Sequence, residues 1–395
     1  MIRMKKSILI VINSLGLGGA EKSLISLLST LDFSRYQVDL QMFRPQGMFI
    51  KMLPEEVKIL PVPEFLKSND SILSQIKKPK YFFAHLNSSV SLRQNNRSKK
   101  LHPAQCFWKC TRKCFDCLEK KYDVAVAWGQ GNPTHFVAEK VTADKKLAVI
   151  NVNYEGAGHN KEFDVPYYGE YYRILTVSDD LNKLTRETFP QYADRIETLY
   201  DITNADVIRQ LADEINPFEN EVCKLILVTA GRLTPQKGYD LALDAAKILN
   251  EKKIDFKWYF VGEGISRKEL EQQIIDYDLE QRVVLTGAKE NPYVYMKNAD
   301  IYVQTSRFEG YCLTLSEARI LNKPIVSTDF DVVHDQLSDE VNGLIVGMNG
   351  NAIAEAILRL SNDRQLRNTL IENLQKEKKG NTEEIEKLYR IIEEE

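Results

Sequence analysis

The sequence predicts an α/β chain of two doubly wound domains, and three observations carry that prediction. Short β-branched or apolar runs alternate with helical patterns from end to end, which is how parallel sheets covered by helices are written. The pattern breaks at Leu199-Tyr-Asp-Ile-Thr-Asn204 and restarts after Pro217 with a strand at Lys224 to Thr229. At 395 residues and 43% hydrophobic composition, the chain is too long for one ordinary core and rich enough for two. The domains fall at 1–200 and 201–375, facing each other across a cleft, and the charged stretch Asn381 to Glu395 reads as a terminal helix within 376–395.

Bulk charge narrows the function. A net charge of −3 offers no excess of cations to displace counterions from phosphates, so nucleic acid is excluded as the main partner. The apolar run Ile8 to Ile12 is too short for a secretory core or a membrane span, which places the protein in the cytosol. Its six cysteines then read as reduced thiols.

Ser7 to Ile12 forms a buried strand, Leu15 to Gly19 a glycine loop, and Ala20 to Leu31 a helix packed through Leu24, Leu27, Leu28 and Leu31. A glycine turn feeding a helix N-terminus aims bare amides and the positive dipole end at an anion, which makes Gly18 and Gly19 candidates for phosphate. A dinucleotide fingerprint is refused, because Glu21 stands where its third glycine or alanine belongs. Tyr36 to Phe43 is the next strand. From Lys67 to Lys121 basic residues far outnumber acidic ones, with Tyr81, Phe82, Phe83, Phe107 and Trp108 between them. That is either a solvated face or a surface for an anionic membrane. Cys106, Cys110, Cys114 and Cys117 would line one helix face, and thiolates strung along one helix cannot close a tetrahedron around zinc, so they read as packing. Val124–Trp128, Leu147–Val152 and Ile174–Ser178 complete the first sheet.

The second domain has strands at Trp258–Val261, Val283–Thr286, Ile301–Thr305, Ile325–Thr328 and Leu344–Val346. In Gly231-Arg-Leu-Thr-Pro-Gln-Lys-Gly238, Arg232 and Lys237 share a loop held by Pro235 and two glycines, so both cations can converge on one anion. Gly262 and Gly287 close two further strands on one side of the sheet. The stretch from Ile301 to Asp329 is a βαβ unit whose loop, Arg307–Thr314, lies where open parallel sheets bind ligands. Glu309 sits in that loop with no capping role evident. Glu317 falls in the first turn of a helix beginning near Leu315, where Thr314-Leu-Ser-Glu317 reads as a capping box.

Glu309-x7-Glu317 with Glu-Gly-Tyr after a strand, the Arg232/Lys237 loop and the early Gly-Gly-Ala-Glu loop together resemble the retaining glycosyltransferases of family 4, which have the GT-B fold. Bacterial capsular and exopolysaccharide members are the most similar. The resemblance covers most of the chain, is strongest over 224–346, clear at 7–29 and weak between about 60 and 145. It implies a nucleotide-sugar donor, a UDP-sugar in the first instance, and a glycan or lipid-linked acceptor in surface polysaccharide or glycoconjugate synthesis. It assigns the donor diphosphate to Arg232, Lys237, Gly18, Gly19 and the helix-terminal amides of Thr314 and Leu315. Glu317 takes the ribose, while Gly262, Gly287 and Ala288 line the base. Gly310, Tyr311, Cys312 and Leu313 hold the donor sugar beside Glu309, the catalytic carboxylate. Where the family has a strand-end histidine this chain has Asn151, with His159 a few residues on. No cofactor is implied, since the nucleotide sugar is a substrate, and no metal, since no Asp-x-Asp motif stands in a suitable loop and fixed cations do that work. The family retains anomeric configuration, by front-face displacement or through a short-lived covalent species. Its terminal helix packs back on the first domain. The alternatives are a non-catalytic GT-B subunit that binds and stabilises a partner glycosyltransferase, motivated by Asn151, and a sugar-nucleotide epimerase, which the Glu-x7-Glu spacing does not fit.

Overall fold

The computed structural model describes residues 5–16, 18–67, 79–98 and 100–394. The chain divides into two compact units, Met1–Ile202 with Glu383–Glu395, and Thr203–Thr382.

The first unit is built on seven parallel strands: β1 (Lys6–Ile12), β2 (Tyr36–Met42), β3 (Lys58–Ile59), β4 (Tyr122–Trp128), β5 (Ala143–Ile150), β6 (Arg173–Thr176) and β7 (Ile196–Thr198). Their spatial order is β3-β2-β1-β4-β5-β6-β7. Continuous apolar runs such as Ile8 to Ile12 are needed because helices cover both faces. The helix Gly19–Thr30 buries Leu24, Leu27 and Leu28 as its spacing predicts. The end of the chain completes this core. A 3₁₀ turn, Thr382–Glu384, leads into the helix Ile385–Glu393, whose Ile385, Leu388, Tyr389, Ile391 and Ile392 join the hydrophobic cluster of the first sheet. Lys145 Nζ donates to the carbonyls of Ile391 and Ile392 at 3.0 and 3.3 Å, satisfying last-turn acceptors that the helix cannot pair itself.

The second unit has six parallel strands: β8 (Leu225–Ala230), β9 (Phe256–Val261), β10 (Val283–Gly287), β11 (Ile301–Gln304), β12 (Ile325–Thr328) and β13 (Leu344–Val346). The order is β10-β9-β8-β11-β12-β13. Alternate side chains of β8 enter opposite clusters, Leu225 and Leu227 on one face, Val228 and Ala230 on the other. The sheet is therefore doubly wound. In each unit the order reverses once, between β1 and β4 and between β8 and β11, and the carboxyl ends of those strands are where an open α/β sheet leaves a crevice.

Two expectations about the segment before β4 need correction. The four cysteines do not share a helix: Cys106 and Cys110 lie on Pro103–Thr111, Cys114 ends a 3₁₀ turn, and Cys117 lies beyond it, exposed. The helix tightens into the 3₁₀ turn Arg112–Cys114, which ends where Phe115 turns extended and enters the core with Trp108, and of the four cysteines only Cys106 and Cys114 are buried. Nor are the interleaved aromatics uniformly at the surface. Tyr81 and Trp108 are core residues, whereas Phe82, Phe83, Leu86 and Val90 are exposed along the helix Pro79–Ser98. Part of the basic segment, including Lys77, Lys78 and Lys99, lies outside the described residues. Among the described residues, no helix is long and apolar enough to cross a membrane.

Candidate active site

In the second unit, the loops after β8 and β11 are joined along their length. Arg307 N donates to Gln236 O at 2.8 Å, and Thr305 Oγ1 donates to Lys237 O at 2.8 Å. Gln236 Nε2 donates to Phe308 O at 2.9 Å. Arg307 adds a two-pronged ion pair to Asp240, at 2.8 and 2.5 Å, and a bond to Pro235 O. Gly238, at φ +62°, allows this approach, since a Cβ there would sit 2.1 Å from Thr305 O.

At the centre of the joined loops lies a buried ion pair. Lys237 Nζ donates to Glu309 Oε1 at 2.6 Å, with side chains 13% and 7% exposed. Burial pulls the lysine pKa down, Glu309's charge and hydrogen bond outweigh this, and the net shift is upward, so Lys237 stays a cation. Arg232 is exposed, and lies close enough to Lys237 for its charge to oppose that shift. The two cations of the loop thus converge, one anchored and one open. Glu309 lies in the loop as expected, and the fold brings Lys237 and Ser306 onto it.

The capping box is absent. The helix runs Leu313–Ile320 with Cys312 as its N-cap at φ +64° and no side-chain cap. Because the chain enters through this left-handed residue, Thr314 falls two positions inside the helix and Glu317 in its second turn. Thr314 Oγ1 donates instead to Gln304 Oε1 at 3.1 Å, and Glu317, 2% exposed, accepts from Tyr293 Oη at 2.9 Å. Thr314 and Leu315 both lie in the first turn, and the Leu315 amide donates to Cys312 O at 3.0 Å. Burial, with Glu309's charge, pushes the Cys312 thiol up to about 12, so it is an inert packing group. Tyr311 and Cys312 present their carbonyls to Gln336 Nε2, while Gly310 and Leu313 stay half-buried in the same turn.

Gly262 and Gly287 meet at the ends of β9 and β10, Gly262 N donating to Gly287 O at 3.0 Å, with Ala288 half-buried next along the chain. A Cβ on Gly262 would fall 1.8 Å from Gly231 O, so the glycine lets three strand ends close together.

In the first unit, Gly18 is a bare N-cap and Gly19 opens its helix. The Glu21 carboxylate folds over this end, so that a Cβ on Gly18 would lie 2.0 Å from its Oε2. The glycine turn, whose Gly18 amide donates to Gly16 O at 3.2 Å, therefore faces a carboxylate of its own chain. Asn151 follows β5, its amide bonded to Gln130 Oε1 at 3.2 Å, and neither polar atom of its side chain has a hydrogen-bond partner among the described residues. His159 is elsewhere engaged. It stacks on His102 with centroids 4.0 Å apart, and burial, with a smaller push from His102, lowers its pKa to about 4 against the pull of Asp164. Beside it, Asp164 accepts from Tyr154 Oη and pairs with His135 Nε2 at 2.7 Å.

Sequence reasoning missed Tyr293, Gln304, Ser306, Asp164 and His135. Gln304 had a signal, being a polar residue inside an apolar strand. Asp164 and His135 had none, since 29 positions separate them.

Residues 213–377 match the family described as Glycosyl transferases group 1. The poly(ribitol-phosphate) alpha-N-acetylglucosaminyltransferase of Staphylococcus aureus (strain COL) is 28% identical over 263 residues, covering 63% of this chain and 51% of that protein. A Campylobacter jejuni enzyme named N-acetylgalactosamine-N,N'-diacetylbacillosaminyl-diphospho-undecaprenol 4-alpha-N-acetylgalactosaminyltransferase is 29% identical over 175 residues, 44% of this chain and 46% of that one. The chain thus spans about half the length of these curated relatives. Among solved structures, that of Anabaena HepE in complex with UDP and glucose is similar with a TM-score of 0.66 at 18% identity, covering 94% of each chain. That likeness concerns the fold, an α/β chain of two Rossmann-like parallel-sheet domains of the GT-B type.

Proposed function

We propose, from the premise that residues 213–377 form a domain of the glycosyl transferases group 1 family, that this chain is a retaining glycosyltransferase. It moves a sugar from a UDP-sugar to a glycan or lipid-linked acceptor in surface polysaccharide or glycoconjugate synthesis. The observation that carries the reading is the pair of loop cations at the strand-order reversal, Lys237 fixed on Glu309 and Arg232 open beside it. Breaking a glycosyl–phosphate bond leaves negative charge on a diphosphate, and cations positioned beforehand stabilise it without reorganising. Lys237 and Arg232 take that charge, together with the Thr314 amide. Glu309 faces the donor sugar. Glu317, steadied by Tyr293, binds the ribose, and Gly262, Gly287 and Ala288 border the base.

The donor and acceptor classes draw on the relatives. One is named for N-acetylglucosamine transfer to poly(ribitol-phosphate), another for transfer to a diphospho-undecaprenol, and a structure of similar fold holds UDP and glucose. The helix Pro79–Ser98 supplies the membrane contact a lipid-linked acceptor requires. Phe82, Phe83, Leu86 and Val90 form an exposed apolar stripe, with Lys80 and Arg93 exposed on the same helix, and this face rests on the anionic inner leaflet. Transfer needs no metal, because the loop cations hold the diphosphate. A non-catalytic partner subunit would have no use for the Lys237–Glu309 pair, so the enzyme reading is preferred. Calorimetry with UDP and a donor screen for released UDP test the proposal. No UDP binding, together with no donor turned over, would remove it.

A further inference from the structure

A buried chain of side-chain hydrogen bonds runs from the middle of β11 to Glu309. Gln304 is 1% exposed, and its Oε1 accepts from Tyr302 Oη at 2.7 Å and from Thr314 Oγ1 at 3.1 Å. With its oxygen so occupied, the amide orientation is fixed, and Nε2 donates to Ser306 Oγ at 2.7 Å. Ser306, fully buried, passes its own hydrogen to Glu309 Oε1. The same Oε1 receives Lys237 Nζ at 2.6 Å, whereas among the described residues Oε2 has only a 3.5 Å contact with Gln236 Nε2. One carboxylate oxygen is saturated by the protein and the other is weakly engaged.

From this geometry we infer that Gln304 and Ser306 are positioning residues, which hold the Glu309 carboxylate so that Oε2 receives a donor-sugar hydroxyl while the reaction proceeds. Thr314 ties the helix end beside the diphosphate to the same glutamine, so the orientation of Glu309 and the phosphate-side turn are set by one buried amide. The inference rests on the donor-site reading above and deepens it. Neither Gln304 nor Ser306 is among the groups assigned to the nucleotide.

The test uses the full chain, with UDP as binding probe and UDP-glucose and UDP-N-acetylglucosamine as donors. Ser306→Ala removes a single buried oxygen and should fold as wild type by circular dichroism. It should lower turnover about tenfold, the scale of one lost hydrogen bond to a charged group, with UDP affinity within about twofold. Gln304→Leu should lower turnover at least as far, with a smaller loss of UDP affinity through the freed Thr314 turn, and the double variant should be no slower than this single, because both cut one chain. Additive losses in the double variant, or a fall in UDP affinity that parallels turnover, would show two independent packing defects and overturn the inference. Unchanged turnover in Ser306→Ala, in a chain that binds UDP and consumes donor, overturns it alone. A wild-type chain that neither binds UDP nor consumes donor overturns the parent reading, and this one with it.

Discussion

Both units gather polar side chains at the carboxyl ends of their sheets, yet they solve the burial problem differently. In the second, the cluster is ionic and mutually satisfied: Lys237 on Glu309, Arg307 on Asp240, Gln304 and Ser306 completing the bonds. In the first, two histidines with lowered pKa values, His102 and His159, stack together beside the His135–Asp164 pair, and Asn151 has both side-chain polar atoms unpaired among the described residues. A buried charge survives only with a partner, and a neutral imidazole survives by giving up its proton. On the proposed reading, charge-handling chemistry belongs to the second cluster, and acid sensitivity to the first.

The largest effect should come from breaking the ionic cluster. Glu309→Gln should reduce turnover by about 10² or more, the scale of losing one positioned transition-state interaction. Because it also strands Lys237, stability should fall on the order of 3 kcal/mol, a cost the sequence did not foretell. Turnover and chemical denaturation measured on one preparation check both, and a variant as active as wild type would contradict the assignment.

Next, the two cations should separate. Arg232→Ala and Lys237→Ala should each weaken UDP binding by roughly 1.5–3 kcal/mol in calorimetry. Only Lys237→Ala should also lower the unfolding midpoint, because only Lys237 neutralises a buried carboxylate. Equal stability in the two variants would dissolve the distinction between an anchored and an open cation.

The histidine cluster should respond to pH. The folded pKa of His159 is about 4, depressed from 6.5, so its contribution is fully present above pH 6.5 and is lost as pH falls toward 4. By pH 5 the loss should be about 2 kcal/mol. His159→Gln should flatten the pH dependence of stability over that window, and an unchanged slope would place the sensitivity elsewhere.

The smaller effects lie outside both clusters. Vesicles with anionic lipid should bind the chain more tightly than neutral ones, by about 1 kcal/mol per engaged cation, and release it as salt rises. Equal binding to both would leave the stripe on Pro79–Ser98 without a membrane role. Smallest of all, EDTA should leave turnover unchanged, whereas loss restored by magnesium or manganese would reveal a metal the loop cations do not replace.

The sequence by itself determined all six strands of the second sheet and five of the seven in the first, missing the short edge strands β3 and β7, together with the pairing of Arg232 with Lys237. Those features are local: β-branched runs, glycines at strand ends, a proline within a loop. Only the tertiary structure decided who neutralises whom. Glu309 and Lys237 are 72 positions apart and meet because β8 and β11 are neighbours across a reversal of strand order. Thr314 and Glu317 fit a capping pattern in sequence, but Cys312 turns left-handed two residues earlier and moves both off the cap. Motif spacing describes a segment's own conformation. Partnership among buried polar groups depends on which distant backbone the fold brings within 3 Å, and no local pattern holds that information.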